Sequence, residues 1–299
     1  NVTAVLEFKL LGFSSNPYCQ ILLFVVGLVT YSLTILGNII IISVVTLKPQ
    51  LHSPMFKFLQ NLSFLEICYT NTIIPKMLSI LLAKRRSISF SGCMTQLYYF
   101  ISLGATECYL LAVMAYDRFL AVCQPLQYGV LMTDEFCVRL AVGSWVTGAF
   151  TGLLPCLMVS RLHFCSYNLI DHFFCDISPL LKLSCSDTAV TEAVIFILSL
   201  LVISSCFLLT LVSYLLIILT ILKIPSASGK RVTFSTCSSH LLVVTIYYGT
   251  MIFMYVRPTY NLSSELNKTV SVFYTVVTPL LNPVIYSLRN KAFKKALKK

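Results

Sequence analysis

The chain has 299 residues, of which 57% are hydrophobic and 11% charged, and its formal net charge is +11. A water-soluble domain carries about 25% charged residues, so this composition, with a mean hydropathy of +0.85, cannot clothe a soluble surface and excludes a soluble globular domain. The surplus basic charge lies largely in short loops and the C-terminal tail, which reads as orientation and contact with anionic membrane lipid, not nucleic-acid binding.

A spanning helix needs about 20 apolar residues to cross roughly 30 Å of hydrocarbon. In chain order the hydropathy pattern predicts seven: about 22–47, 56–80, 92–123, 138–160, 192–222, 232–256 and 267–288. Gly143, Gly148, Gly152 and Pro155 interrupt the fourth, which spanning helices tolerate. Seven spans put the termini on opposite sides. Basic residues lean towards the side that holds Arg118, Lys230, Arg231 and the tail, against the opposing run Lys84-Arg85-Arg86, so the N-terminus is expected outside and the C-terminus in the cytoplasm. The acceptor triplet Asn1-Val2-Thr3 fits that side. Asn261, Asn267 and Asn61 head matching triplets too, but Asn61 lies inside a span. No signal-peptide pattern is visible, and the first span is expected to do the targeting.

The reading is an all-α membrane protein, a seven-transmembrane helix bundle forming one domain over 1–299. Residues 1–21 form the outer N-terminus and 161–191 a long outer loop suited to a lid. Residues 289–299 form a short basic amphipathic helix on the inner leaflet, with Ala292, Phe293, Ala296 and Leu297 along one face.

Of twelve cysteines, Cys93, Cys165, Cys175 and Cys185 share the oxidising face. Four cysteines allow three pairings, and spacing does not choose among them. Cys165, His172 and Cys175 fit no compact zinc pattern. No cofactor or metal is expected.

Polar residues inside spans usually face the bundle interior. Asn38, Glu66, Glu107 and Asn282 are of this kind. Glu66 and Glu107 could share a cation or a proton, which makes an ion- or proton-coupled transporter the alternative function, although no halves of the chain repeat each other. Asn282-Pro283-Val284-Ile285-Tyr286 should kink the seventh span. An acid–arginine pair, Asp117-Arg118, stands at the membrane boundary, where charge is expensive and marks a working part. No nucleophile–base set is present and the four histidines are scattered, so the chain is not expected to be an enzyme.

Taken together, these pieces resemble the rhodopsin-like G-protein-coupled receptors, and specifically the olfactory receptors of the tetrapod-type class II. The resemblance runs the whole length. It is carried by Gly37-Asn38, Leu51-His52-Ser53-Pro54-Met55-Phe56, Asn61-Leu62-Ser63-Phe64-Leu65-Glu66, Pro75-Lys76-Met77, Met114 to Cys123 and Phe173-Phe174-Cys175-Asp176. Leu181 to Cys185, Ser213-Tyr214, Lys230 to His240 and Pro279 to Ser287 complete it. The resemblance implies disulfides Cys93–Cys175 and Cys165–Cys185. It also implies an odorant ligand, a stimulatory, olfactory-type G protein as partner, a rise in cyclic AMP and a plasma-membrane location. Asp117, Arg118, Tyr214, His240, Asn282, Pro283 and Tyr286 would form the coupling and switch region.

Three departures stand out: Phe119 where tyrosine is usual, Glu66 where aspartate is common, and a sixth span with Tyr247-Tyr248-Gly249 in place of a Trp–Pro motif. Within the implied pocket, Phe100, Gly104 and Cys108 recur at four-residue spacing and share a face of span three, with Ile101 and Ala105 beside them. Tyr248 and Tyr255 lie two turns apart on span six, with Tyr248 the expected activation lever. Ile177, Ile195, Ser199, Val202 and Thr275 complete a mostly apolar cavity.

Overall fold

The computed structural model describes residues 6–13, 16–82, 86–165, 168–255, 264–289 and 291–297. Its long helices are α1 (Pro17–Leu47), α2 (Pro54–Leu82), α3 (Phe90–Cys123), α5 (Asp134–Ser160), α7 (Ala189–Lys223) and α8 (Ala227–Tyr255). The seventh predicted span is made of α9 (Ser264–Val272), a π-helical turn (Phe273–Val277) and α10 (Thr278–Arg289). Short helices α4 (Pro125–Leu131) and α6 (Ile177–Leu183) sit in connections, and α11 (Lys291–Leu297) ends the described chain. Among the described residues, α1, α2, α3, α5 and α7 are each long and apolar enough to cross a membrane, and α8 carries a shorter apolar stretch, Cys237–Ile252.

The helices are inside out relative to a soluble bundle. α7 exposes Phe196, Ile197, Leu201 and Leu208 while burying Thr191, Thr210 and Ser213. α1 likewise turns Val25, Leu33 and Leu36 outward and buries Thr34 and Asn38. Large apolar side chains facing outward suit hydrocarbon, and small or polar ones facing inward suit close helix packing. α3 is the most buried span and packs against α2, α5 and α7.

The untidy fourth span has a packing reason. A Cβ on Gly148 would lie 2.0 Å from Thr106 Oγ1 and 2.8 Å from the Ser102 carbonyl oxygen. One on Gly152 would lie 2.1 Å from Ser102 Oγ and 2.9 Å from the Ser102 nitrogen. These two glycines bring the α5 and α3 backbones together, whereas Gly143 meets nothing within 4 Å. The π-helical turn also has a cause in the sequence. Pro279 has no N–H to offer the Thr275 carbonyl, and the Thr278 N–H bonds Phe273 instead.

Residues 7–10, expected only as part of the 1–21 N-terminal segment, form regular structure. Glu7–Leu10 form β1, the central strand of a sheet ordered β2-β1-β3, with β2 at Ser87–Ser89 and β3 at Leu169–Ile170. β1 runs antiparallel to β2, with Phe8 opposite Ile88, and parallel to β3, with Leu10 opposite Ile170. The alternation Glu-Phe-Lys-Leu drives it: Phe8 and Leu10 are buried, Glu7 and Lys9 exposed. The tail helix forms as expected, but Phe293 and Ala296 are buried with Leu51 and Phe56 of the bundle while Leu297 is exposed.

Replacing Gly152 by Ala should cost a large share of correctly folded protein and lower the unfolding temperature in detergent, and Gly143→Ala should leave both unchanged. Surface staining and thermal unfolding of the two variants check this.

Candidate functional site

The helix bundle encloses a cavity with about 660 Å³ of space between its lining atoms, its opening included. Nine of the sequence-predicted residues line it: Phe100, Ile101, Gly104, Ala105 and Cys108 from α3, Ile177 from the 161–191 segment, and Ile195, Ser199 and Val202 from α7. Gly104 meets nothing within 4 Å of a would-be Cβ, so its missing side chain is cavity space. Tyr69, Thr151, Pro155, Leu198, Ile203, Tyr247, Met251 and Tyr274 complete the walls and were not legible in the sequence. None of the lining residues is charged.

Two expected pocket residues, Tyr248 and Thr275, fall elsewhere. Tyr248 is buried beside the cavity, not on its wall. It rests against Phe207 at 5.6 Å and donates to the Cys108 carbonyl at 3.3 Å. Its neighbour Tyr247 takes the wall position and donates to the Gly104 carbonyl at 2.7 Å. Thr275 turns back on its own helix, donating to the Ser271 carbonyl at 2.6 Å. The Tyr255 side chain lies outside the described residues, as do Asn1 and the Tyr286 side chain.

A lid roofs the cavity. Disulfides join Cys93 to Cys175 and Cys165 to Cys185, the first tying the lid to the start of α3. Gln96 accepts from the Cys175 N–H and donates to the Thr72 carbonyl, each at 2.9 Å, so one side chain holds lid, α3 and α2. On the other side Lys268, only 5% exposed, meets Asp171 at 2.6 Å. His172 lies 3.3 Å from Ser271 Oγ and stacks on Phe173. With Cys175 in a disulfide and His172 against Ser271, the lid holds no metal set, and among the described residues no group of three or more His, Cys, Asp or Glu side chains could hold one.

Burial, with Lys268 beside it, lowers the His172 imidazole to about 3, and burial raises the Asp176 carboxyl to about 6 although the Ile177 N–H bonds it. The two shifts oppose each other. Acidification below pH 6.5 protonates His172 in the unfolded chain first and removes stability. Acidification below pH 6 protonates Asp176 in the folded chain first and adds stability.

At the opposite end, Asp117 is buried and its two oxygens are both used. Oδ2 accepts from Arg118 Nε at 2.9 Å and from Nη2, and Oδ1 accepts from Tyr128 of α4 at 2.8 Å. Burial and the neighbouring carboxylate raise the Tyr128 phenol, so it stays a donor. Sequence reasoning missed Tyr128. Phe119 lacks a hydroxyl, and Tyr128 supplies one to Asp117 from the next helix. Arg118 is therefore paired within its own neighbourhood. Tyr214 and His240, expected in the same switch region, bond each other at 2.6 Å and stack. In the middle of the bundle Asn282 Nδ2 donates to Glu66 Oε1. Glu66 Oε2 and Glu107 Oε1 are buried without a hydrogen-bond partner among the described residues. Pro283 packs at Gly37, where a Cβ would lie 3.0 Å from the proline ring. Asn61, inside α2, accepts from Trp145 at 3.2 Å, an interior position that takes no glycan.

An apolar helix bundle with a lidded, uncharged cavity near one end and a paired arginine at the other is a membrane receptor of the rhodopsin-like kind, and it is not an enzyme. Residues 27–299 match the olfactory receptor family. Over the whole chain it is 60% identical to olfactory receptor 11L1 of Homo sapiens, covering 93% of that protein. It is 49% identical to olfactory receptor 6B9 and 50% identical to olfactory receptor 5AP2, both of Mus musculus, covering 95% and 94% of them. The chain belongs to the olfactory receptor family. Nothing in the fold or the relatives supports transport through Glu66 and Glu107.

Asp176→Asn keeps the cap but removes the acid, so its unfolding temperature should fall by several degrees more than the parent's between pH 7 and pH 4.5, read by thermal unfolding in detergent. Tyr128→Phe removes a hydrogen bond to a carboxylate, worth about 1.5 kcal/mol at this half-buried position, the low end for bonds to charged groups. Odorant-independent signalling should rise a few-fold at equal surface expression.

Proposed function

We propose that the cavity is the odorant site, taking small, volatile, mostly apolar molecules with one polar group, such as an alcohol, ketone, ester or aromatic. A cavity with apolar walls and few polar groups suits such a ligand, and the lack of any charged lining residue disfavours a carboxylate. The observation that carries the reading is Ser199. On the same helix Ser204, Ser205 and Ser213 bond back to their own turn. Ser199 makes no hydrogen bond among the described residues and lines the cavity. Its hydroxyl is available to the ligand.

The signal runs through α3 and α8. Tyr247 and Tyr248 tie α8 to the Gly104 and Cys108 carbonyls, so a ligand lodged at Gly104 bears directly on those bonds. Odorant binds better where α8 has swung outward, and the population shifts. Tyr214, His240, Asn282, Pro283 and Tyr286 rearrange as the switch, Arg118 engages a stimulatory, olfactory-type G protein, and cyclic AMP rises. The receptor sits in the plasma membrane as one domain, with Asn1 glycosylated and the lid outside, and α11 inside on anionic lipid. Glu66 and Glu107 join Asn282 in the interior polar network, and their unpartnered oxygens suit a shared proton or a small cation.

In a cyclic AMP assay over a broad odorant panel, Arg118→Ala should reach the surface and give no odorant response. Ser199→Ala should weaken alcohols about tenfold and hydrocarbons hardly at all. Full signalling from the first variant, or equal losses in the second, would contradict the assignment.

A further inference from the structure

The cavity is shut at both ends and thin at one side. Its roof is two aromatic layers thick: Phe100 meets Phe174 at 5.0 Å, Phe174 meets Phe173 at 5.0 Å, and Phe173 stacks on Phe13 at 4.6 Å. Phe173 and Phe174 are 0% exposed, as is Phe8 of β1, which packs the sheet onto Phe164 at 5.2 Å. Below, Tyr247 and Tyr248 are hydrogen-bonded across to α3.

The side wall differs. Deep lining residues such as Phe100, Cys108, Ile195 and Tyr247 are buried, so the cavity interior itself leaves little exposed area. Thr151 of α5 and Leu198, Ser199 and Val202 of α7 line the same cavity yet are half-buried, so they are reached from outside the bundle. Around them Leu154, Ile197 and Leu201 are exposed, the signature of a lipid-facing surface. Met251 on α8 borders α7 from its other side. The glycines that press α5 onto α3 draw it away from α7, and the α5–α7 contact is sparse beside the α3–α5 one. Pro155 stands at the seam and offers no N–H to the Thr151 carbonyl, leaving a polar edge one helix away from the Ser199 hydroxyl.

We propose that odorants reach the cavity from the bilayer, through the seam between α5 and α7, and not through the lid. The ligand class is apolar molecules that dissolve in hydrocarbon and carry one hydrogen-bonding group, which passes from the Thr151 edge to Ser199. This rests on the cavity being the odorant site.

The seam sets rates, not affinity alone. Each added methylene favours hydrocarbon over water by about fourfold. For a homologous series of primary alkanols binding receptor in lipid nanodiscs, the association rate constant referred to aqueous concentration should rise about fourfold per carbon. Leu201→Trp, on the lipid-facing side of the seam and off the cavity wall, should slow association and dissociation together, several-fold, with little change in Kd. Phe8→Ala, which loosens the lid, should leave association unchanged. An association rate flat across the series in the unmodified receptor would overturn the seam while leaving the odorant site intact. So would faster association in Phe8→Ala with none lost in Leu201→Trp. Absence of saturable alkanol binding sensitive to Gly104→Trp would sink the site reading, and the seam with it.

Discussion

The approach of α5 to α3 through Gly148 and Gly152 sets most of what the receptor can do. Where a methyl group would collide with Ser102 and Thr106, two backbones meet with nothing between them. In hydrocarbon there is little water-driven force to join helices, so dispersion contacts at such close approach must do it. A helix drawn onto α3 is drawn off α7, and the volume that Gly104 leaves on the facing turn stays open as cavity. The same residue type closes one face and opens another, and only the neighbour decides which.

Much of this was legible from residues alone. The outward apolar faces gave the spans, and four-residue spacing on α3 placed Phe100, Gly104 and Cys108 correctly on the cavity wall. Projection failed where an ideal helix was assumed in the wrong register. Tyr247 and Tyr248 are about 100° apart on a helix, and nothing local says which faces inward; the choice is made by the carbonyls of α3. The π-helical turn at Phe273–Val277 adds a residue to the seventh span and shifts its register there, so Thr275 points back to Ser271. Thr151, Pro155 and Tyr69 come from helices whose own sequence carries no sign of the cavity. Strand β1 is only four residues long, too short for its alternation to stand out. The same limit hid α4, and with it Tyr128.

The lid shows how a loop of about thirty residues holds one shape. Two disulfides, the Gln96 bridge, the Lys268–Asp171 pair and the sheet built on β1 each fix a different edge. Inside it, the opposed shifts of His172 and Asp176 offset each other where both act, between about pH 6 and pH 4. The cover gains constancy towards pH from that opposition.

The charged latch at the other end is local in the chain. Asp117, Arg118 and Tyr128 all fall within a dozen residues, on α3 and the short helix after it. Its strength is therefore set without reference to any residue of the cavity. Apart from Tyr247, which both lines the cavity and ties α8 to α3, the cavity walls can be exchanged one side chain at a time without touching that latch. A fold divided in this way can be copied and retuned to many different ligands from one switch.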